Sequence, residues 1–123
     1  MKKTYDLYGF LSEDLDELAN VLGKALGISF FPHESSYHCG DYYVWEDSNG
    51  EEEFILQHNR DPFESDPSDA WTEPDFKEYP TLLYAEDTVR SGEVERVILE
   101  TLKEGASLLR RESLDADLAE DSS

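Results

Sequence analysis

The sequence predicts an α+β fold, an antiparallel sheet covered by two helices, and three observations carry the prediction. Residues Tyr37 to Arg60 read as one long β-hairpin: Tyr42-Tyr43-Val44-Trp45 and Phe54-Ile55-Leu56-Gln57 are dense in aromatic and β-branched residues. Between them Asp47-Ser48-Asn49-Gly50 supplies an Asn-Gly pair, which accepts positive φ. Leu15, Leu18, Ala19, Leu22, Ala25 and Leu26 recur at helical spacing, and so do Val94, Val97, Ile98, Thr101 and Leu102.

Taken in order, Tyr5 to Leu11 is expected as a first strand, with Gly9 marking a bulge or a close backbone approach. Ser12 is expected to cap the first helix, with Glu13, Asp14, Asp16 and Glu17 complementing its dipole and Gly27 stopping it. An extended pattern resumes at Ile28 to Phe31, and Pro32, which lacks a ladder donor, points to an edge or a bend; His33 to Gly40 either continues the strand or carries Tyr37 into the turn before the hairpin. In the hairpin, Phe54, Leu56 and His58 alternate with Glu53, Ile55 and Gln57, so one face is apolar and the other mixed. Tyr43 and Trp45 share one face of the first hairpin strand, Tyr42 and Val44 the other. Large groups on both faces indicate a central strand, or one that meets a partner.

Asn59 to Pro80, with four prolines and seven acids, is expected to lack regular structure. Phe63, Trp71, Phe76 and Tyr79 within it serve either as interface anchors or as pins that hold the loop to the body. Thr81 to Ala85 reads as a strand that turns at Glu86-Asp87-Thr88, a second helix runs from Ser91 to about Glu104, and Ser107 to Glu112 closes the domain as a short strand. The expected organisation is a single domain over residues 1–112 and a disordered acidic tail over 113–123. The two helix crossovers suit the split βαβ order of ferredoxin-like folds, although strand order is not readable from sequence.

At 123 residues the chain can bury one core. Its mean hydropathy is −0.65. Yet 38% hydrophobic and 12% aromatic residues, gathered into periodic runs, indicate a folded body with polar loops. The formal net charge of −20, from 30 acids against 10 bases, repels nucleic acid and anionic membranes and attracts a basic protein. The bland counterpart is solubility or adaptation to high salt. Cys39 alone cannot form an internal disulfide, no apolar run approaches the roughly 20 residues of a membrane span, and the start lacks a long apolar signal region. The expectation is a cytoplasmic protein.

Signs of catalysis are absent from the residue pattern. His38 and Cys39 are adjacent, and neighbours in an extended segment point to opposite faces, which places the imidazole poorly for activating the thiol. His33, Glu34, His38, Cys39 and His58 do not have the spacing of paired zinc ligands. Carboxylates are too many to single out an acid–base pair, and there is no phosphate-binding glycine loop. Arg110 and Arg111 are expected to balance nearby acids. No enzyme activity, metal or cofactor is expected.

What remains is acid interleaved with aromatic rings, the combination that gives an interface its anchors and its steering charge. The expected partner-binding residues are Asp41, Tyr42, Tyr43, Trp45, Glu46, Asp47, Asp61, Phe63, Glu64, Asp66, Asp69 and Trp71. Glu51, Glu52 and Glu53 could add charge, and for Tyr43 and Trp45 sheet core is the competing placement.

The layout YDLYGFLSEDLDELANVLGKALG, then ESSYHCGDYYVWEDSNGEEEFILQHNRDP, then EYPTLLYAEDT, a helix, and SLLRRE resembles the small acidic immunity proteins of bacterial polymorphic-toxin and contact-dependent inhibition systems, over Tyr5 to Glu112. That resemblance implies a non-enzymatic cytoplasmic inhibitor that binds one cognate toxin domain, often a nuclease and here expected to be basic. It implies no shared functional residues. Two rivals stand beside it: an acidic adaptor or nucleic-acid mimic holding a basic partner, and a small metal-dependent enzyme using His33, His38, Cys39 and His58.

Overall fold

The computed structural model describes residues 3–35, 40–61, 64–66 and 70–113. In chain order these form β1 (Thr4–Phe10), α1 (Leu15–Leu26), β2 (Phe31–Ser35), β3 (Gly40–Glu46), β4 (Glu53–His58), β5 (Thr81–Thr88), α2 (Ser91–Leu102) and β6 (Ala106–Ser113). All six strands join one antiparallel sheet in the order β2-β3-β4-β5-β1-β6. The fold is α+β. Because β1 is antiparallel to both neighbours, β5 and β6 run parallel to each other with β1 between them, and α2 makes the crossover.

Both helices lie on one face of the sheet. Leu15, Leu18, Ala19 and Leu22 of α1 and Val94 and Ile98 of α2 form one core with Tyr8, Phe10, Phe54, Leu56, Leu83 and Ala85. The strand register explains the set, since Tyr8 stands opposite Leu83, Leu83 opposite Leu56, and Leu56 opposite Tyr43. Leu22 and Ile98 are fully buried. Truncating either to alanine removes about 2–5 kcal/mol of stability.

Several sequence expectations shift at element ends. Asp14, not Ser12, caps α1: its carboxylate accepts the Glu17 N–H at 3.1 Å, while the Ser12 hydroxyl accepts the Asp14 N–H at 3.1 Å. The Ser12 carbonyl is taken by the Thr81 hydroxyl at 2.7 Å, which ties the strand exit to β5. Gly27 ends α1 at φ 71°, as its position predicted, and Gly50 closes the hairpin turn at φ 69°.

Strand β2 begins at Phe31 rather than Ile28 and occupies an edge of the sheet, the place where Pro32 is tolerated. Strand β5 continues through Glu86-Asp87-Thr88, a run expected to turn, because Glu86 pairs with Glu53 and the buried Thr88 with Thr4. Helix α2 stops at Leu102 before a 3-10 turn at Lys103–Gly105. Thr101, expected on its inner face, is exposed and bonds back to the Val97 carbonyl at 2.6 Å. Strand β6 extends from Ala106 through Ser113, one residue into the expected tail, whose remainder, 114–123, lies outside the described residues.

Candidate docking face

With the helices on one side, alternate residues of every strand point to the other side. There the register lines up Phe31, Val44, Ile55, Tyr84, Leu7 and Arg110 across all six strands. Two residues along the strands, Glu46, Glu53 and Glu86 form a parallel row on β3, β4 and β5. Neighbouring strands are ~4.8 Å apart, so the carboxylates share one short line. On the other side of the apolar row, His33 stacks on Tyr42 with ring centroids 5.4 Å apart.

Half of this face is covered by the chain itself. After β4 the backbone makes an isolated bridge between Arg60 and Trp71, passes a 3-10 turn at Pro74–Phe76 and returns over β5, β1 and β6. Glu73 accepts the Tyr84 hydroxyl at 2.6 Å and the Arg110 guanidinium at 3.2 and 3.3 Å. Tyr79 donates to Ser107 at 3.1 Å and packs on Gly9, where an added Cβ would stand 2.5 Å from the ring. The close approach foreseen at Gly9 is this ring. Fully buried Asn59 organises the segment from beneath, its amide donating to the carbonyls of Phe76 and Tyr79 at 3.0 Å.

On the β2-β3-β4 half Gln57, opposite Tyr42, is buried, and the described residues from there toward Phe31 and Glu46 are more open. Phe31 is 64% exposed, Val44 and Ile55 are half-buried, Glu46 is exposed and Glu53 half-buried. At the boundary of the two halves Tyr5 meets Tyr84 edge-on, with centroids 6.4 Å apart. Burial first, then the Glu86 carboxylate, raises the Tyr5 phenol above its usual pKa, and Arg110 opposes them. Burial and the bond to Glu73 raise Tyr84 likewise.

The residues expected to bind a partner divide among several places. Tyr42, half-buried, and Glu46, exposed, lie on the face away from the helices. Tyr43 and Trp45 turn to the helix side, where Tyr43 donates to Asp16 and Trp45 packs on Phe54 at 5.2 Å with the Arg90 guanidinium 6.0 Å over its ring. Asp41 is exposed, on the helix side opposite Glu34. Asp47 is used within the hairpin turn, accepting the Glu51 N–H at 2.6 Å.

Trp71 is half-buried, with the Lys77 ammonium 6.0 Å from its ring, and Asp61 bonds through its backbone to Ala70 at 2.6 Å. Glu64 and Asp66 are exposed, the Glu64 carboxylate accepting the Asp66 N–H at 3.0 Å. Phe63 and Asp69 lie outside the described residues. So the structure brings Tyr42 and Glu46 together with Phe31, Val44, Ile55, Glu53 and Glu86.

Glu86 was missed because it belongs to β5, and only pairing brings it beside Glu53. Glu52, which the sequence offered as a free charge, is instead buried: Thr88 donates to it at 2.5 Å and Arg90 at 3.0 to 3.3 Å. Arg110 and Arg111 do balance acids, Arg111 bridging fully buried Asp6 at 3.0 Å and Glu95 at 3.0 Å.

His33 and His58 stand on opposite faces of the sheet, and His38 and Cys39 lie outside the described residues. Among the described residues no three His, Cys, Asp or Glu side chains gather as a metal site, and no helix is long and apolar enough to cross a membrane. No protein-family model and no curated protein matches this chain.

Proposed function

We propose that this chain is a non-enzymatic immunity protein that neutralises a basic toxin domain, of nuclease type, by covering it. The observation that carries the reading is the alignment of Glu46 and Glu53 beside Phe31, Val44 and Ile55 on the more open β2-β3-β4 half of the sheet, with Glu86 of β5 continuing the row at its boundary. Apolar side chains there supply desolvated contact, and the glutamates match the lysines and arginines a nuclease presents to phosphates. The net charge of −20 adds long-range steering, which speeds association and declines with salt. Occlusion needs no chemistry from this chain. Its working place is the cytoplasm, where the partner would otherwise act.

The body that holds the face is proposed to be ferredoxin-like. The part β4-β5-β1-β6 with α1 and α2 supports this, since α2 links two parallel strands across β1. Strands β2 and β3 then extend the sheet beyond that body and carry much of the docking face.

The test is capture of the basic toxin domain encoded beside this chain's gene, at two salt concentrations. The chain carrying Glu46→Lys and Glu53→Lys is expected to bind it at least roughly tenfold more weakly, with a shallower salt dependence. Unchanged affinity and unchanged salt slope in that variant overturn the face. Turnover of a substrate by the isolated chain overturns the function.

A further inference from the structure

We propose that the free edge of β2 takes up an extended basic segment as a seventh strand, with one of its side chains seated in the groove between α1 and the connection, residues 27–30, that leads into β2. This goes beyond the sheet-face reading, because it uses the strand's outer edge and the helix-side groove, sharing Phe31 alone with that face, and holds whichever protein the face meets. Strand β2 is the last strand of the sheet, and among the described residues nothing pairs with its outer side. An edge of this kind presents main-chain donors and acceptors to a second chain. Pro32 removes one N–H from the strand, whichever side it faces, and leaves every carbonyl in place.

The two faces of this edge differ, and the difference specifies the occupant. On the open face an added strand meets Phe31, 64% exposed, so it should carry an apolar residue there. On the helix side Pro32 pairs with Tyr43 and Glu34 with Asp41, and both acids are exposed. Next to them opens a groove of ≈ 550 Å³ lined by Asp16, Ala19, Asn20, Gly23, Phe30 and Tyr43, among others.

That groove has an aromatic wall, small residues along α1, the Asp16 carboxylate and one cation, Lys24, with the exposed acids Glu34 and Asp41 beside it. Gly23 lets the chain after the helix approach α1 closely along the groove, since a Cβ there would stand 2.9 Å from the Ile28 carbonyl. Asp16 accepts the Tyr43 hydroxyl on one oxygen. The long stem of an arginine fits over the ring of Phe30 while its guanidinium reaches Asp16, and a flanking basic residue meets Glu34 and Asp41. Strand addition sets the register, and the alternate side chains read it. A second copy of this chain is a poor occupant, since each copy carries a net charge of −20.

The probe is a capped peptide, Thr-Arg-Val-Arg-Val-Arg-Thr, in three forms: unmodified, N-methylated at the arginines, and N-methylated at the valines. In a strand these two sets of N–H groups face opposite edges. Binding to the intact chain, followed by amide shifts in solution, is expected to perturb residues 31–34 and the groove-facing part of α1. One methylated form should lose at least roughly tenfold in affinity and the other stay near the unmodified peptide.

Asn20→Trp, which fills the groove mouth from an exposed helix position, should weaken the unmodified peptide. Equal binding of both methylated forms would show attraction by charge alone and overturn the proposal. Absence of binding, shifts away from the edge, or indifference to Asn20→Trp overturns it too, as does a concentration-dependent dimer that excludes the peptide. The measurement needs no toxin, so it can fail while the sheet-face reading stands.

Discussion

Asn59 and Glu73 hold each other from both directions: the Glu73 N–H donates to the Asn59 side-chain oxygen at 2.8 Å, and the Asn59 amide reaches the Glu73 carbonyl at 3.4 Å. The same amide serves Phe76 and Tyr79, so one fully buried side chain meets four backbone groups between Glu73 and Tyr79. A loop without a ladder must find partners for its peptide groups elsewhere, and here they converge on Asn59.

Asn59→Ala would leave several of those groups unpaired beneath the segment. The expected loss is about 2–4 kcal/mol, read as a lower urea midpoint. Hydrogen exchange at Glu73 and Tyr79 should rise with it, since their amides close the segment at Asn59 and Phe76. A variant with wild-type stability would show that the segment is held by its rings alone.

The hairpin turn is tied to the start of α2 by Glu52 and Arg90. Glu52 is 9% exposed and accepts from Thr88 and Arg90, while Arg90 also lies over the rings of Trp45 and Phe54. Removing Arg90 leaves a nearly buried carboxylate without its counter-ion. Arg90→Ala should cost about 1–3 kcal/mol, less than a fully buried pair because the arginine is partly solvated. Glu52→Gln, which keeps an acceptor for Thr88, should cost less, and equal losses in the two variants would contradict this account.

How much could be read beforehand followed how local the signal was. Gly27 and Gly50 each announce a backbone state required at one residue, and the periodicity of Leu15, Leu18 and Leu22 is complete within one helix. Thr88 and Glu86 read as turn residues because their partners, Glu52 and Glu53, stand more than thirty positions earlier in the chain. The docking face has the same character. Glu46 and Tyr42 were visible inside the hairpin, but the line from Phe31 to Tyr84 exists only once four strands are in register. Ser12 and Asp14 are both competent caps, and the bond from Thr81 to the Ser12 carbonyl fits Asp14 as the one at the helix start.

Phenol titration should weaken the fold at high pH. Tyr43 is pushed up to about 12, first by its hydrogen bond to Asp16 and then by burial, and Tyr8 and Tyr84 are raised chiefly by burial. A raised pKa means that the folded state holds the proton more tightly. The associated stability is therefore complete below the unfolded value near 10 and is lost as pH climbs through the folded values. Urea midpoints should fall from pH 10 upward, while tyrosinate absorbance lags that of the unfolded chain. Tyr43→Phe should flatten the early part of that fall, and a midpoint unchanged up to pH 12 would refute the linkage.

Phe31 and Leu56 separate binding from folding on the same sheet. Phe31 is 64% exposed at the sheet edge, so Phe31→Ser should leave the unfolding free energy within about 0.5 kcal/mol of wild type. Leu56 is fully buried beneath the helices, and Leu56→Ala should lose about 2–5 kcal/mol. Toxin-domain capture should show the reverse order: Phe31→Ser weakens it severalfold at full stability, because an exposed ring paired with Val44 at the sheet edge has no folding task to perform. Leu56→Ala, assayed where it remains folded, should bind nearly as wild type, since its side chain points away from the partner. If Phe31→Ser binds as wild type while Leu56→Ala does not, the contact lies on the helix side of the sheet.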